Sequence, residues 1–562
     1  MRTLHTSPLP GPRTKMVITL AIFVSMLCTF WTDLHARPLR GSIPLSVILC
    51  KSSDAGTPNH DLAYYRDLAV NGGTGGLADY WRDLSYQNVN LAGSEVRGWY
   101  TVPKTTVQWQ GLGRWAMVAE CENAAKNDSS QPYTIPAGHK KIFITFPGID
   151  FFGWNGGAFV DSNVDVGGLA HEGGHGIGLN HSFSNNFESL NVWWAQIGEY
   201  DDPWDAMSWG NAFRVPTRFG DGPPWMIGYN LDRMGWLPRS RILTIGANGA
   251  KHVSVTLAAL GHPEAPGALL LRIPFDVNDP LHYYTVEFRR KDRWDAGIPD
   301  DTVLVHEVRK AWSPHGDYQG HLAFLSRQLS HPQLAPLQQV DANGISIRVE
   351  SLNLAANTAT LSIVTSFPER CMLGSVWRES RSYDKICIPS ADRAAVRDED
   401  NHAAERKNPM GGPFGPDTCN PRFVWREAIV PNASLGDPPD HVCVPPAARD
   451  RERMNNQQAA ARSNPARLSF GPNTCKPGFV WREADDWDWV CVPPAVRQLA
   501  RADNAQAAAR RNPGGGPFGP DTCIQGFVWR EAFPGDHVCV LPATRGQAAN
   551  DNQHAQERLL EI

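Results

Sequence analysis

Eleven residues carry the densest chemistry in this chain: His171-Glu172-Gly173-Gly174-His175-Gly176-Ile177-Gly178-Leu179-Asn180-His181, an H-E-x-x-H-x-x-G-x-x-H pattern. Residues four apart share one face of a helix, so His171 and His175 would offer two imidazoles to one cation. Glu172, next to the first imidazole, would lean its carboxylate towards a metal-bound water rather than the metal itself. Gly178 allows positive φ, which lets the chain leave the helix and turn back. His181 would then return as a third nitrogen ligand. Three neutral nitrogens leave a fourth position for water, as in a catalytic zinc site and unlike a closed structural one. The bland alternative is a surface cluster of histidines, since a bare H-E-x-x-H arises by chance. The extended pattern fixes five positions and argues for one Zn2+.

The elements around the motif must hold it. Leu45 to Cys50 is an apolar, β-branched run and reads as a buried strand. Gly75 to Leu84 has helical spacing, with Leu77, Tyr80, Trp81 and Leu84 on one face. Val96 to Val102 and Lys141 to Phe146 are further strands, and Trp115 to Ala125 a second helix ending near Lys126-Asn127. Gly153 to Val160 reads as an edge strand lining the cleft. Strands mixed with helices ahead of the motif imply an α/β (α+β) sandwich.

With these residues in place, the stretch from about Ser42 to Pro238 resembles a metzincin zinc metallopeptidase, most of all the gametolysin-like secreted peptidases. The resemblance rests on Gly75-Gly76-Leu77-Ala78-Asp79-Tyr80-Trp81, Gly98-Trp99-Tyr100, the histidine motif, Glu199-Tyr200-Asp201-Asp202-Pro203-Trp204-Asp205-Ala206-Met207, and Leu231 to Leu237. Asp205-Ala206-Met207-Ser208-Trp209-Gly210 looks like the Met-turn of that clan. The resemblance implies metal ligands His171, His175 and His181, with Glu172 as general base. It also implies Met207 as an apolar floor and an extended polypeptide substrate bound along an edge strand near Gly156 to Val160. Two departures stand out. Gly173, Gly174 and Gly176 crowd the motif helix, each costing about 1 kcal/mol relative to Ala. Little chain precedes the first strand, so no long propeptide is expected and latency is unexplained.

At 562 residues the chain exceeds one core, and a formal net charge of -5 gives no reason to expect nucleic acid as a partner. Arg2, Arg13 and Lys15 precede an apolar run from Met16 to Trp31, which outlines a secretory signal over residues 1–36. Cleavage after Ala36 is favoured over an uncleaved anchor, because the run is shorter than a standard span. No later segment is apolar enough to cross a bilayer, and a secreted, extracellular location follows. Removal of Cys28 with the signal leaves ten of the eleven cysteines, an even number. Cys50 and Cys121 either pair or remain two buried thiols.

Residues 42–238 would form the catalytic domain. From Ser240 to Phe367 short β-like runs between turns suggest an all-β, sandwich-like domain. His306-Glu307 falls in one of them and reads as strand chemistry, not metal. Residues 371–562 form a repeat array in which Trp377, Trp425, Trp481 and Trp529 recur in Val-Trp-Arg-Glu. Each is bracketed by cysteines, and the simplest connectivity is Cys371–Cys387, Cys419–Cys443, Cys475–Cys491 and Cys523–Cys539. An insert around Asn432 lengthens the second loop. Polar Ala- and Arg-rich runs between the repeats read as short helices. Each Trp either packs on its own disulfide, the favoured reading, or stacks on a glycan or other cell-surface ligand. Asn127, Asn180 and Asn432 head N-x-Ser sequons, and a glycan at Asn180 would crowd the third ligand.

The function these readings converge on is a secreted zinc endopeptidase that hydrolyses extracellular or cell-wall proteins. The competing reading is a non-catalytic adhesion or surface-binding protein on the same scaffold.

Overall fold

The computed structural model describes residues 39–185, 195–245, 250–276, 279–312, 318–326, 339–342, 345–366, 371, 375–381, 384, 386–428, 440–462 and 471–560. The expected signal over 1–36 and the insert around Asn432 lie outside them.

The first sheet is built from β1 (Leu45–Ser52), β2 (Glu95–Val102), β3 (Lys140–Phe146), β4 (Phe152–Trp154) and β5 (Gly157–Asp161) in the order β2-β1-β3-β5-β4. β2, β1, β3 and β5 are mutually parallel, and β4 returns antiparallel at the edge. Side chains alternate across it with period two. Val47, Leu49, Ile142, Ile144, Ala158 and Val160 face a core shared with helices α1 (Leu62–Ala69) and α2 (Leu77–Leu84). Ile48, Cys50, Phe143 and Phe159 face α3 (Arg114–Lys126) on the other side. Parallel strands need both faces covered, and helices cover both here. Cys50 and Cys121 form a disulfide that ties β1 to α3, which settles the open choice in favour of pairing.

One expectation changes. Gly153 to Val160 is not a single edge strand: Asn155-Gly156 turns the chain, with Gly156 at φ +119°, and splits it into the β4–β5 hairpin. β5 is paired on both sides, so the edge is Phe152–Trp154 rather than Gly156 to Val160. A glycine at positive φ ends strand pairing, and that is the physical reason.

After the motif helix α4 (Val166–Gly176) comes β6 (Phe183–Ser184), then a 3-10 turn (Ala206–Asn211) and α5 (Gly228–Met234). Among the described residues nine strands follow up to Ser366: β7 (Ile242–Thr244), β8 (Ala250–Ala258), β9 (Leu270–Pro274), β10 (Tyr283–Arg289), β11 (Thr302–Trp312), β12 (Tyr318–Leu325), β13 (Gln339–Ala342), β14 (Ile345–Asn353) and β15 (Thr358–Ser366). They make a four-stranded sheet, β8-β15-β14-β13, and a six-stranded sheet, β7-β9-β10-β11-β12-β6. Val255, Leu257, Ile347, Val349, Leu361 and Ile363 of the first meet Leu271, Ile273, Val286, Phe288, Val303 and Val305 of the second in one core. The two sheets thus share one apolar layer. β6, from the segment just past His181, is the outer strand of the larger sheet.

All four repeat disulfides form as the spacing predicts. Each repeat is a two-stranded hairpin in which the Trp lies opposite the second Cys, and a helix follows. These helices are α6 (Ser390–Asn401), α7 (Pro446–Arg462), α8 (Pro494–Arg510) and α9 (Pro542–Gln553). Trp425 and Trp529 stack on His441 and His537, and their indole N–H groups donate to the carbonyls of Asp417 and Asp521. These rings are packed within their own repeats.

The arginine after each Trp matters more than the sequence suggested. Arg378, Arg426, Arg482 and Arg530 are fully buried and fork onto Asp384, Asp440, Asp488 and Asp536. Each also reaches the helix of another repeat. Arg378 bonds Glu452 and Asn456 on α7, while Arg426 bonds Asp400 on α6. Arg482 bonds the Ala548 carbonyl on α9, while Arg530 bonds Asn504 on α8. The repeats therefore close as two reciprocal pairs, first with second and third with fourth. A buried guanidinium demands several acceptors, which one small repeat cannot supply.

The third repeat also touches α5 and the segments around Arg40 and Arg239. Asn473 donates to the Asp232 carbonyl at 2.7 Å, Arg40 pairs with Asp485, and Arg239 donates to the Asp488 carbonyl. Among the described residues no helix is long and apolar enough to cross a membrane.

Candidate metal centre

α4 begins at Asp165, whose side chain accepts from the Gly168 N–H at 2.6 Å and satisfies a first-turn donor. The helix ends at Gly176, and Gly178 at φ +91° turns the chain back, as its place in the motif implies. His171, His175 and His181 then converge: one nitrogen from each lies within 4.8 Å of the others. Such a group could hold a metal ion.

Their hydrogen bonds decide which nitrogens are free. Nδ1 of His171 lies 3.1 Å from the Ala206 carbonyl, and Nδ1 of His175 lies 2.8 Å from the Leu179 carbonyl. Nδ1 of His181 lies 2.5 Å from Glu199 Oε1. A carbonyl or carboxylate can only accept, so each Nδ1 carries the proton and each Nε2 keeps its lone pair. Three neutral imidazoles with Nε2 left free make a donor set that suits zinc. Burial, with His175 and His181 nearby, holds the His171 imidazole well below its ordinary pKa. Burial and His181 push His175 down to about 4. Neutral rings are what a cation requires.

Glu172 is buried, and burial pushes its carboxyl up to about 8. The edge strand runs directly beside it. A Cβ added to Gly153 of β4 would lie 2.7 Å from Glu172 Oε2 and 2.8 Å from His175 Cβ, so only glycine fits. A cleft of about 390 Å³ opens there, lined by Gly153, Trp154, His175, Gly178 and Met234 among others.

Met207 is fully buried beneath the helix. The crowded glycines now have reasons. A Cβ on Gly174 would meet Met207 Sδ at 2.5 Å, and one on Gly173 would meet Trp81 at 3.0 Å. Gly176 has only ordinary contacts, so its absent side chain answers no packing demand.

Three further residues escaped the sequence reading as site members. Glu199 accepts from His181 and from the Gln196 N–H. Tyr200, at φ +60°, places its Oη 3.1 Å from His181 Nε2, the nitrogen left for the metal. Asp205 accepts from the N–H groups of Met207 and Ile227 and from Asn230, and burial beside Asp202 raises its carboxyl to about 6. All three lie in the run Glu199 to Met207, so the signal was present without a geometry to interpret it. His306 of β11 is fully buried and bonds Asp202, not the metal centre.

No protein-family model matches this chain, and no curated protein matches it.

Proposed function

We propose that the chain is a secreted, zinc-dependent endopeptidase of the metzincin type. The observation that carries this reading is that one ring nitrogen from each of His171, His175 and His181 lies within 4.8 Å of the others, with the buried carboxylate of Glu172 one residue after the first histidine. In this reading residues 42–238 hold the catalytic centre, 240–367 flank it and 371–562 form an appended array. Zn2+ held by His171, His175 and His181 would polarise the scissile carbonyl and lower the pKa of water to about 7.

The residues of the chain do the remainder. Glu172 takes the proton of the attacking water and delivers it to the leaving amine. The exposed side of β4 offers main-chain groups to an extended polypeptide, and Gly153 lets that strand approach the carboxylate closely. Glu199 fixes the tautomer and orientation of His181. Met207 supports the helix from below. Five disulfides suit an oxidising, extracellular setting.

The test uses the full chain. Zinc content is measured, and cleavage of casein is followed with and without a chelator. Stoichiometric zinc and chelator-sensitive cleavage are expected, with turnover abolished and zinc retained in Glu172→Ala. Activity retained in Glu172→Ala would refute the assignment of the base. Zinc binding without hydrolysis would favour the adhesion reading.

A further inference from the structure

The run Asp202 to Ser208 is knotted by its own hydrogen bonds. The Asp202 carbonyl accepts from the Asp205 N–H, its Oδ1 accepts from the Trp204 N–H, and its own N–H donates to Ser208 Oγ. Two ligand segments hang on this knot. The Ala206 carbonyl takes the Nδ1 proton of His171, and the Met207 carbonyl accepts from the N–H of Ser182, the residue after His181. The position of the knot therefore sets the orientation of one ligand and the height of another.

The knot is held from outside by the second layer. His306, in the middle of β11, places Nε2 3.0 Å from Asp202 Oδ2, and both side chains are fully buried. Nδ1 of His306 has no hydrogen-bond partner among the described residues, so its one directional bond runs to Asp202. The same sheet grips the chain again beyond the third ligand: Phe183 and Ser184 of β6 pair with Phe324 and Leu325 of β12. Tyr229 donates to the His321 carbonyl, a further tie between α5 and that sheet. One sheet outside the motif thus anchors both the floor and the strand after His181.

We infer that His306 is a positioning residue of the metal centre, acting through Asp202, and that the β-sheet layer from which it projects belongs to the catalytic machinery. This rests on the metal-site reading above. A residue serving only the sandwich core would not need a buried ring nitrogen aimed at Asp202. Buried charged groups are costly unless paired, and the pair spans the two layers. Partners that orient metal ligands typically change affinity 10- to 100-fold when lost.

The test compares two polar replacements of similar burial but different reach in the full-length protein. Gln can set an amide nitrogen near the place of the imidazole Nε2, whereas Asn falls short of it. Zinc affinity is measured by chelator competition, and site geometry by the d–d absorption of the cobalt(II)-loaded protein. His306→Asn is expected to weaken zinc about 10-fold or more and to alter the cobalt spectrum, with His306→Gln restoring both to within about threefold. A purely structural role would lower the melting temperature of both variants and leave affinity and spectrum at wild-type values; that result overturns the inference. Should His306→Asn fail to fold, histidine-labelled wild type decides by NMR. The His306 Nε2–H resonance is expected to move on zinc loading, and an unmoved resonance counts against the proposal. Wild type without zinc would instead sink the metal-site reading, a distinguishable failure.

Discussion

Replacing Glu172 by Gln removes a buried charge while keeping the side chain's shape, and its effect depends on pH in a calculable way. In the metal-free protein burial lifts this carboxyl from 4.5 to about 8. Between those values the folded state holds a proton that the unfolded state has released. A folded pKa raised above the unfolded one gives a contribution fully present below the unfolded pKa and lost as pH climbs through the folded pKa. The window is therefore pH 4.5 to about 8. At 1.36 kcal/mol per pH unit, this costs the folded state about 3 kcal/mol at pH 7, where the carboxyl must keep its proton, and about 5 kcal/mol above pH 8, where it ionises. Gln does not titrate. Glu172→Gln should match wild type near pH 4.5 in a chelating buffer and exceed its local stability by several kcal/mol at pH 8.5. Hydrogen exchange of the α4 amides is the assay, because it reads opening of that helix apart from the rest of the molecule. Zinc should shrink the difference, since a cation compensates the carboxylate. The zinc-loaded variant should lose hydrolysis at least about 100-fold. A stability difference independent of pH would refute the argument, because it would mean that Glu172 bears no buried charge.

Three further outcomes follow from the same geometry. Glu199→Gln should weaken zinc about 10- to 100-fold in chelator competition without unfolding the chain, since Glu199 accepts the Nδ1 proton of His181. Gly174→Ala should cost about 1–3 kcal/mol in chemical denaturation, because the added carbon meets Met207 Sδ, while Gly176→Ala should be neutral or stabilise by up to about 1 kcal/mol. Arg530→Leu strands Asp536 in the interior and should destabilise the third and fourth repeats by about 3–5 kcal/mol, read by proteolysis of the tail, with zinc affinity unchanged.

The legible parts were those in which a local pattern has one physical solution. The i, i+4 histidines can only face one way on a helix, and Gly178 could only be the turn. The apolar run Leu45 to Cys50 read as a buried strand and is one, with Val47 and Ile48 packed into the cores on its two sides. Three equal Cys–Cys intervals, and a fourth lengthened by one insert, anticipated the repeat bridges. The edge strand was misjudged because Gly153 to Val160 was read as one run, although Asn155-Gly156 inside it is a two-residue hairpin signal. His306 was read as plain strand chemistry because nothing local tells a buried histidine where its nitrogen points.

Sequence alone determined which atoms could bind a metal, which carboxylate could move a proton, and which cysteines could close small loops. Each of these depends on neighbours a few bonds away, and backbone periodicity suffices to place them. Tertiary structure alone decided that Glu199 and Tyr200 stand at His181, that Gly174 must stay bare above Met207, and that the four repeats close as two reciprocal pairs. It also decided that two strands more than 100 residues downstream reach back, His306 to Asp202 and β12 to Phe183-Ser184. Those contacts join residues far apart along the chain, and burial, which sets their strength, exists only once the layers have packed.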